Sequence, residues 1–205
     1  MKLIKNYENF LLILILIFSL QSWTNADDIS DFEIEGMSIG DSLLDYMDKK
    51  QIQNQVNNKD FSIYYKDDYV AISLWNNRNK FQIYDDVGVI LKQNDPTYKI
   101  YALEGTLYMD EESNIEECYK KQDIISNDIK EVLKIKNKGD TWFVEKKNLQ
   151  NYLSSVKYID YELSDGALVR TTCYEVIKGV RKHSDLNLLY VVLDSAIFYN
   201  YLKNN

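Results

Sequence analysis

The stretch Phe61-Ser-Ile-Tyr-Tyr-Lys-Asp-Asp-Tyr-Val-Ala-Ile-Ser-Leu-Trp75 decides the fold class. Two short runs rich in aromatic and β-branched residues, Phe61 to Tyr65 and Tyr69 to Trp75, are separated only by Lys66-Asp67-Asp68. Such runs favour the pleated, half-buried surface of a sheet, and a polar three-residue break between them joins neighbouring strands as a hairpin. The pattern continues outward. Asn76-Asn77-Arg78-Asn79 is a second turn, Phe81 to Tyr84 and Val87 to Leu91 are further strands, and Tyr98 to Met109 is a longer one. Towards the C-terminus, Lys157 to Leu163 and Ala167 to Ile177 flank Ser164-Asp165-Gly166 as another hairpin, and Leu186 to Leu193 is strongly apolar.

Three helices interrupt this series. A first runs from about Asp41 to Val56, where Leu43, Leu44 and Met47 recur at helical spacing. Ser113-Asn114-Ile115-Glu116 has the form of a capping box and opens the longest helix. On it Ile115, Cys118, Gln122, Ile125, Ile129 and Val132 share one stripe, with Gly139 beyond its end, so Cys118 points inward. Asp194 is placed to cap a short final helix through Leu202. Strands follow strands with too few helical crossovers for a parallel sheet. The class is therefore α+β: an antiparallel sheet of hairpins with an N-terminal helix, one long central helix and a short C-terminal helix. No internal repeat is legible.

Upstream, Lys2 and Lys5 precede the apolar run Phe10 to Leu20, which is short of the roughly 20 residues that span a bilayer. Small residues at Thr24 and Ala26 then precede Asp27-Asp28. This is the layout of a cleavable signal peptide over residues 1–26, with a single α+β domain over 27–205. The expected destination is periplasmic or secreted, with the membrane touched only through the signal peptide before cleavage. Residues 1–26 carry Lys2, Lys5 and Glu8, so their removal takes the formal charge of −8 down by one, to −9. An acidic chain lacks the clustered cations that a phosphate backbone requires, and nucleic acid is excluded as an expected partner.

Cys118 and Cys173 are the two cysteines of the chain. An even count in an exported protein points to a disulfide, two buried thiols being the alternative, and no C-x-x-C spacing suggests redox or zinc chemistry. Lysine far outnumbers arginine, isoleucine and asparagine are abundant, and proline occurs once, a composition that fits an AT-rich genome. Codon bias and strand propensity account for the 17 tyrosines. The alternative is a peptide or sugar platform on the strands, including Tyr64, Tyr65, Tyr69, Tyr98, Tyr101 and Tyr108.

Gly40-Asp41-Ser42-Leu43 resembles the signature of the GDSL lipases and esterases, whose serine is a nucleophile at a strand-to-helix turn. That resemblance implies Ser42 as nucleophile and His183, the sole histidine, as base. The family's Asp-x-x-His pair is unmatched, since Val180 stands three residues before His183, and its Gly-x-Asn-Asp block is unmatched at Asn94-Asp95. Helix capping by Asp41 or Ser42 explains the same four residues without catalysis. The wider segment Phe32 to Tyr46 resembles the start of a family of small exported proteins from AT-rich marine bacteria, which implies export and no particular activity. Gly36-Met37-Ser38 before an amphipathic helix is similar to outer-membrane assembly lipoproteins of the BamE type, although the lipid-bearing Cys has no counterpart here.

The acids Asp110-Glu111-Glu112 and Glu116-Glu117 lack the alternating ligands of a calcium loop, and no metal or cofactor is expected. His183 lies in the polar connection Arg181-Lys182-His183-Ser184-Asp185. The resulting expectation is a non-catalytic binding or envelope accessory module acting on an envelope protein or ligand, with a GDSL-like ester hydrolase using Ser42 as the alternative.

Overall fold

The computed structural model describes residues 28–60, 62–66, 68–74, 80–109, 115–133, 139–147, 153–175 and 187–205, with backbone alone at 142–147 and 153–155. The signal peptide, its cut before Asp27, the capping residue Ser113, the acids Asp110-Glu111-Glu112 and the His183 connection lie outside the described residues.

The α+β class is as expected. Among the described residues, eight strands form one antiparallel sheet in the order β3-β4-β5-β6-β10-β9-β8-β7. These strands are β3 (Ser62–Tyr65), β4 (Tyr69–Ser73), β5 (Asp86–Lys92), β6 (Ile100–Tyr108), β7 (Asp140–Lys147), β8 (Leu153–Glu162), β9 (Leu168–Tyr174) and β10 (Leu188–Asp194). A small separate hairpin pairs β1 (Glu33–Ile34) with β2 (Met37–Ser38). The helices are α1 (Lys49–Asn57), α2 (Ile115–Val132) and α3 (Ala196–Asn204).

The sheet consists of two halves of the same plan. Each is a helix followed by a four-stranded antiparallel meander: α1 with β3 to β6, then α2 with β7 to β10. The last strands of the two meanders pair with each other, from Leu188 opposite Tyr108 to Asp194 opposite Ala102. Both helices contribute to one core, Ile52 from α1 and Ile129 from α2, with Val70, Ile72, Val89, Leu103, Val169 and Leu193 from the strands. The β8–β9 turn is the expected one. Gly166 sits at φ +87° and donates to the Leu163 carbonyl, while Asp165 accepts from the amide of Ala167.

Several expected boundaries move, each for a local reason. The helix read from Asp41 to Val56 is broken: Leu43–Asp45 is a single 3₁₀ turn, and α1 begins only at Lys49. Asp48 restarts it with a complete capping box, its carboxylate accepting from the Gln51 amide while the Gln51 side chain accepts from the Asp48 amide. Phe81 to Tyr84 is not a strand. The backbone amides of Gln82, Ile83 and Tyr84 instead donate to the Glu35 carboxylate at 2.8, 2.7 and 2.9 Å. The final helix is capped by Ser195, whose hydroxyl accepts from the Phe198 amide, and Asp194 is the last residue of β10. Strand β7 is an element that periodicity alone did not mark.

The stripe on α2 faces the sheet as expected, with Cys118, Gln122 and Ile129 buried. Cys118 and Cys173 form a disulfide, their Cα atoms 6.0 Å apart, that ties α2 to β9 beside Met109 and Leu189. Gln122 belongs to this interface because its amide donates to the carbonyls of Lys157 and Thr171 at 3.0 and 2.9 Å.

The opposite face of the sheet is covered over its first half by α3. Phe198 meets Tyr65 and Tyr69 edge-on, ring centres 5.7 and 5.1 Å apart, above Ile90 and Ala102.

Candidate functional site

A cleft of about 410 Å³ opens between α1 and the β5–β6 turn. That size lies within the range of small-molecule sites. Its floor is apolar, made by Val56, Val70 and Leu91, and its rim carries Gln53 and Asn57 from α1 with Lys92, Asn94 and Asp95 from the turn. Tyr64 and Tyr98 stand in its walls.

The turn is held by its own polar groups. Asp95 accepts from both the amide and the hydroxyl of Thr97, bonds that lower its carboxyl below the usual range. The Gln93 side chain donates to the carbonyls of Lys66 and Tyr69, bracing the turn against the β3–β4 hairpin. Tyr98 adopts φ +49° and Asn94 φ +60°. The left-handed region is easy for asparagine and unusual for a bulky aromatic, so the Tyr98 backbone is strained and must be held by its surroundings. Two bonds hold it: its amide donates to the Asp95 carbonyl, and its carbonyl accepts from the Leu43 amide.

Those bonds explain the Gly40-Asp41-Ser42-Leu43 segment. Gly40 lies at φ +99°, where glycine alone is unstrained, and its amide donates to Ile100. The Asp41 carboxylate accepts from the Ser38 amide and the Tyr46 hydroxyl. Burial, followed by the bond to Asp41, pushes the Tyr46 hydroxyl well above its ordinary range. The Ser42 hydroxyl donates to the Thr97 carbonyl at 2.6 Å and accepts from the Leu44 amide at 3.3 Å. Leu43 is completely buried. Ser42 and Leu43 thus buttress the turn that forms one wall of the cleft, while Gly40 and Asp41 pair with Ile100 at the start of β6. Its second expected partner, His183, lies outside the described residues.

On the other face of the sheet, register aligns Gly88, Glu104, Val192, Arg170 and Asp160 in one row across five strands. Arg170 donates to both oxygens of Asp160, at 2.6 Å each, and lies over the Tyr158 ring. Glu104 is pushed up to about 7 by burial and then by the charges of Asp86 and Asp194. Asp194 is also raised to about 7, by burial, with Arg170 opposing and Asp160 reinforcing the shift. A carboxyl raised above its unfolded value contributes stability that is fully present below pH 4 and lost as pH rises through 7. Glu104→Gln is therefore expected to be more stable than the parent at pH 8, by about 1 kcal/mol after solvent screening, with the difference gone at pH 4. Urea midpoints at the two pH values measure this.

Among the described residues, no three His, Cys, Asp or Glu side chains are grouped to hold a metal ion. Sequence reading missed the cleft amides Gln53, Asn57 and Asn94. The available signal was Asn94-Asp95-Pro96, a strong turn former at the only proline of the chain. No protein family, curated protein or solved structure matches this chain.

Proposed function

We propose that this chain is exported, cleaved after Ala26 and delivered to the periplasm or the extracellular space, where it acts as a non-catalytic binding or envelope accessory module. The observation that carries the binding reading is the cleft beside the 93–98 turn, with its apolar floor, amide rim and tyrosine walls. The Cys118–Cys173 bridge supports export, because such bonds persist mainly in oxidising compartments. The resemblance of Phe32 to Tyr46 to small exported proteins agrees with that destination.

The hydrolase alternative asks Ser42 to surrender its proton to a base. Its hydroxyl proton is directed at the Thr97 carbonyl, which is no base, and one of its lone pairs faces the Leu44 amide. Both bonds support a structural role. Ser42→Ala is expected to lower stability by about 1 kcal/mol, as loss of a cap does, without changing any activity. Two measurements test the proposal. N-terminal sequencing of exported protein should begin at Asp27, and purified protein should leave p-nitrophenyl esters intact. Ester hydrolysis that disappears in folded Ser42→Ala would establish the alternative.

A further inference from the structure

We infer that the cleft beside the 93–98 turn takes a neutral saccharide, an inference that rests on the binding reading above and specifies its ligand. The rim supplies side-chain amides from Gln53, Asn57 and Asn94, none of which makes a hydrogen bond to another described residue. An amide offers a donor and an acceptor side by side, which matches a hydroxyl group that both gives and receives. Three of them around one opening suit a ligand carrying several hydroxyls.

Charge points the same way. The rim holds one cation, Lys92, and one anion, Asp95, whose Oδ1 is already engaged by Thr97. Nothing in this balance selects a net charge on the ligand.

The walls complete the match. Tyr64 is 49% exposed, and its hydroxyl is tied to the Val56 carbonyl at 2.9 Å, so the ring stands fixed at the cleft edge. Tyr98 lines the cleft from its strained left-handed backbone, held by Leu43 and Asp95. Aromatic rings beside polar groups offer an apolar surface to the C–H face of a pyranose while its hydroxyls meet the amides. Backbone strain of this kind clusters at ligand-binding sites, where the surrounding structure holds it in place.

The test uses the disulfide-bonded protein against an array of neutral hexose and N-acetylhexosamine oligosaccharides, with sialylated and sulfated glycans alongside. A second arm uses a library of short uncharged peptides, and amide chemical-shift mapping locates each hit. The expected result is retention of a neutral glycan, with shifts at residues 53–57 and 93–98. Asn57→Ala and Asn94→Gly should each weaken it about tenfold, as loss of one bond to a desolvated partner does, at unchanged melting temperature. Glycine is chosen at position 94 to preserve its positive φ. Binding restricted to charged glycans, a neutral glycan seated elsewhere, or affinity indifferent to both substitutions overturns the inference. Peptides mapping to the cleft with no glycan bound overturn the saccharide and leave the binding reading standing. A cleft silent in both arms overturns both.

Discussion

Reduction of the Cys118–Cys173 bridge is expected to lower the unfolding free energy by about 4 kcal/mol, the chain-entropy value for closing a loop of this size. The bridge spans 55 positions and links two elements, α2 and β9, that also pack against each other through Gln122. Both sulfurs are fully buried with Met109 and Leu189. Reduced thiols fit the same site as small apolar groups, so the native fold should persist after reduction and the loss should appear in the denatured state. Guanidinium unfolding of oxidised and reduced protein measures the difference. Non-reducing mass spectrometry should find native protein two hydrogens lighter than the reduced form. A stability difference below about 1 kcal/mol would mean that native strain or residual denatured structure offsets the loop term.

Phe198→Ala is expected to lower stability by about 3 to 5 kcal/mol, the range for deleting a buried aromatic ring. Phe198 is 2% exposed and anchors α3 to Tyr65, Tyr69, Ile90 and Ala102. Its removal strips the edge-on contacts with both tyrosines and leaves a cavity under a helix of only nine residues, too short to persist by itself. Amide exchange across 196–204 should accelerate together with the global loss. Ile197→Ala is the control, because that side chain is 63% exposed and its truncation should stay within about 0.5 kcal/mol of the parent. Equal effects from the two substitutions would show that α3 contributes little packing.

The hairpins were legible because their signals are local. Phe61 to Tyr65 and Tyr69 to Trp75 carry the residue types of strands, and the break between them, Lys66-Asp67-Asp68, is short and polar. Phe81 to Tyr84 carries the same types, yet its amides are claimed by Glu35, nearly fifty residues away, and no local pattern announces that. Periodicity merged Leu43, Leu44 and Met47 with α1, whereas the capping strength of Asp48 divides them. The disulfide was foreseeable because the apolar stripe of α2 fixes where Cys118 points. Gln122 in that stripe became intelligible only once two strand carbonyls lay opposite it. The cleft was hidden for the same reason as the Glu35 contact. Asn94 joins Gln53 and Asn57, which share one face of α1, only after the β3 to β6 meander has folded, and polar residues in exposed positions look alike before that.

The way α3 is placed sets an order on the making of the molecule. It leaves β10, the final strand of the second half, and lies on β3 to β6, the strands of the first. The N-terminal part of a chain is made before the C-terminal part. The first meander therefore emerges with Tyr69, Ile90 and Ala102 uncovered, and they stay wet until Ala196 to Asn204 arrive. A chain stopped before Ser195 would keep every described strand and lack the cover for this apolar patch. Quality control that recognises such a patch would thus detect chains that lack α3 rather than chains that lack a sheet.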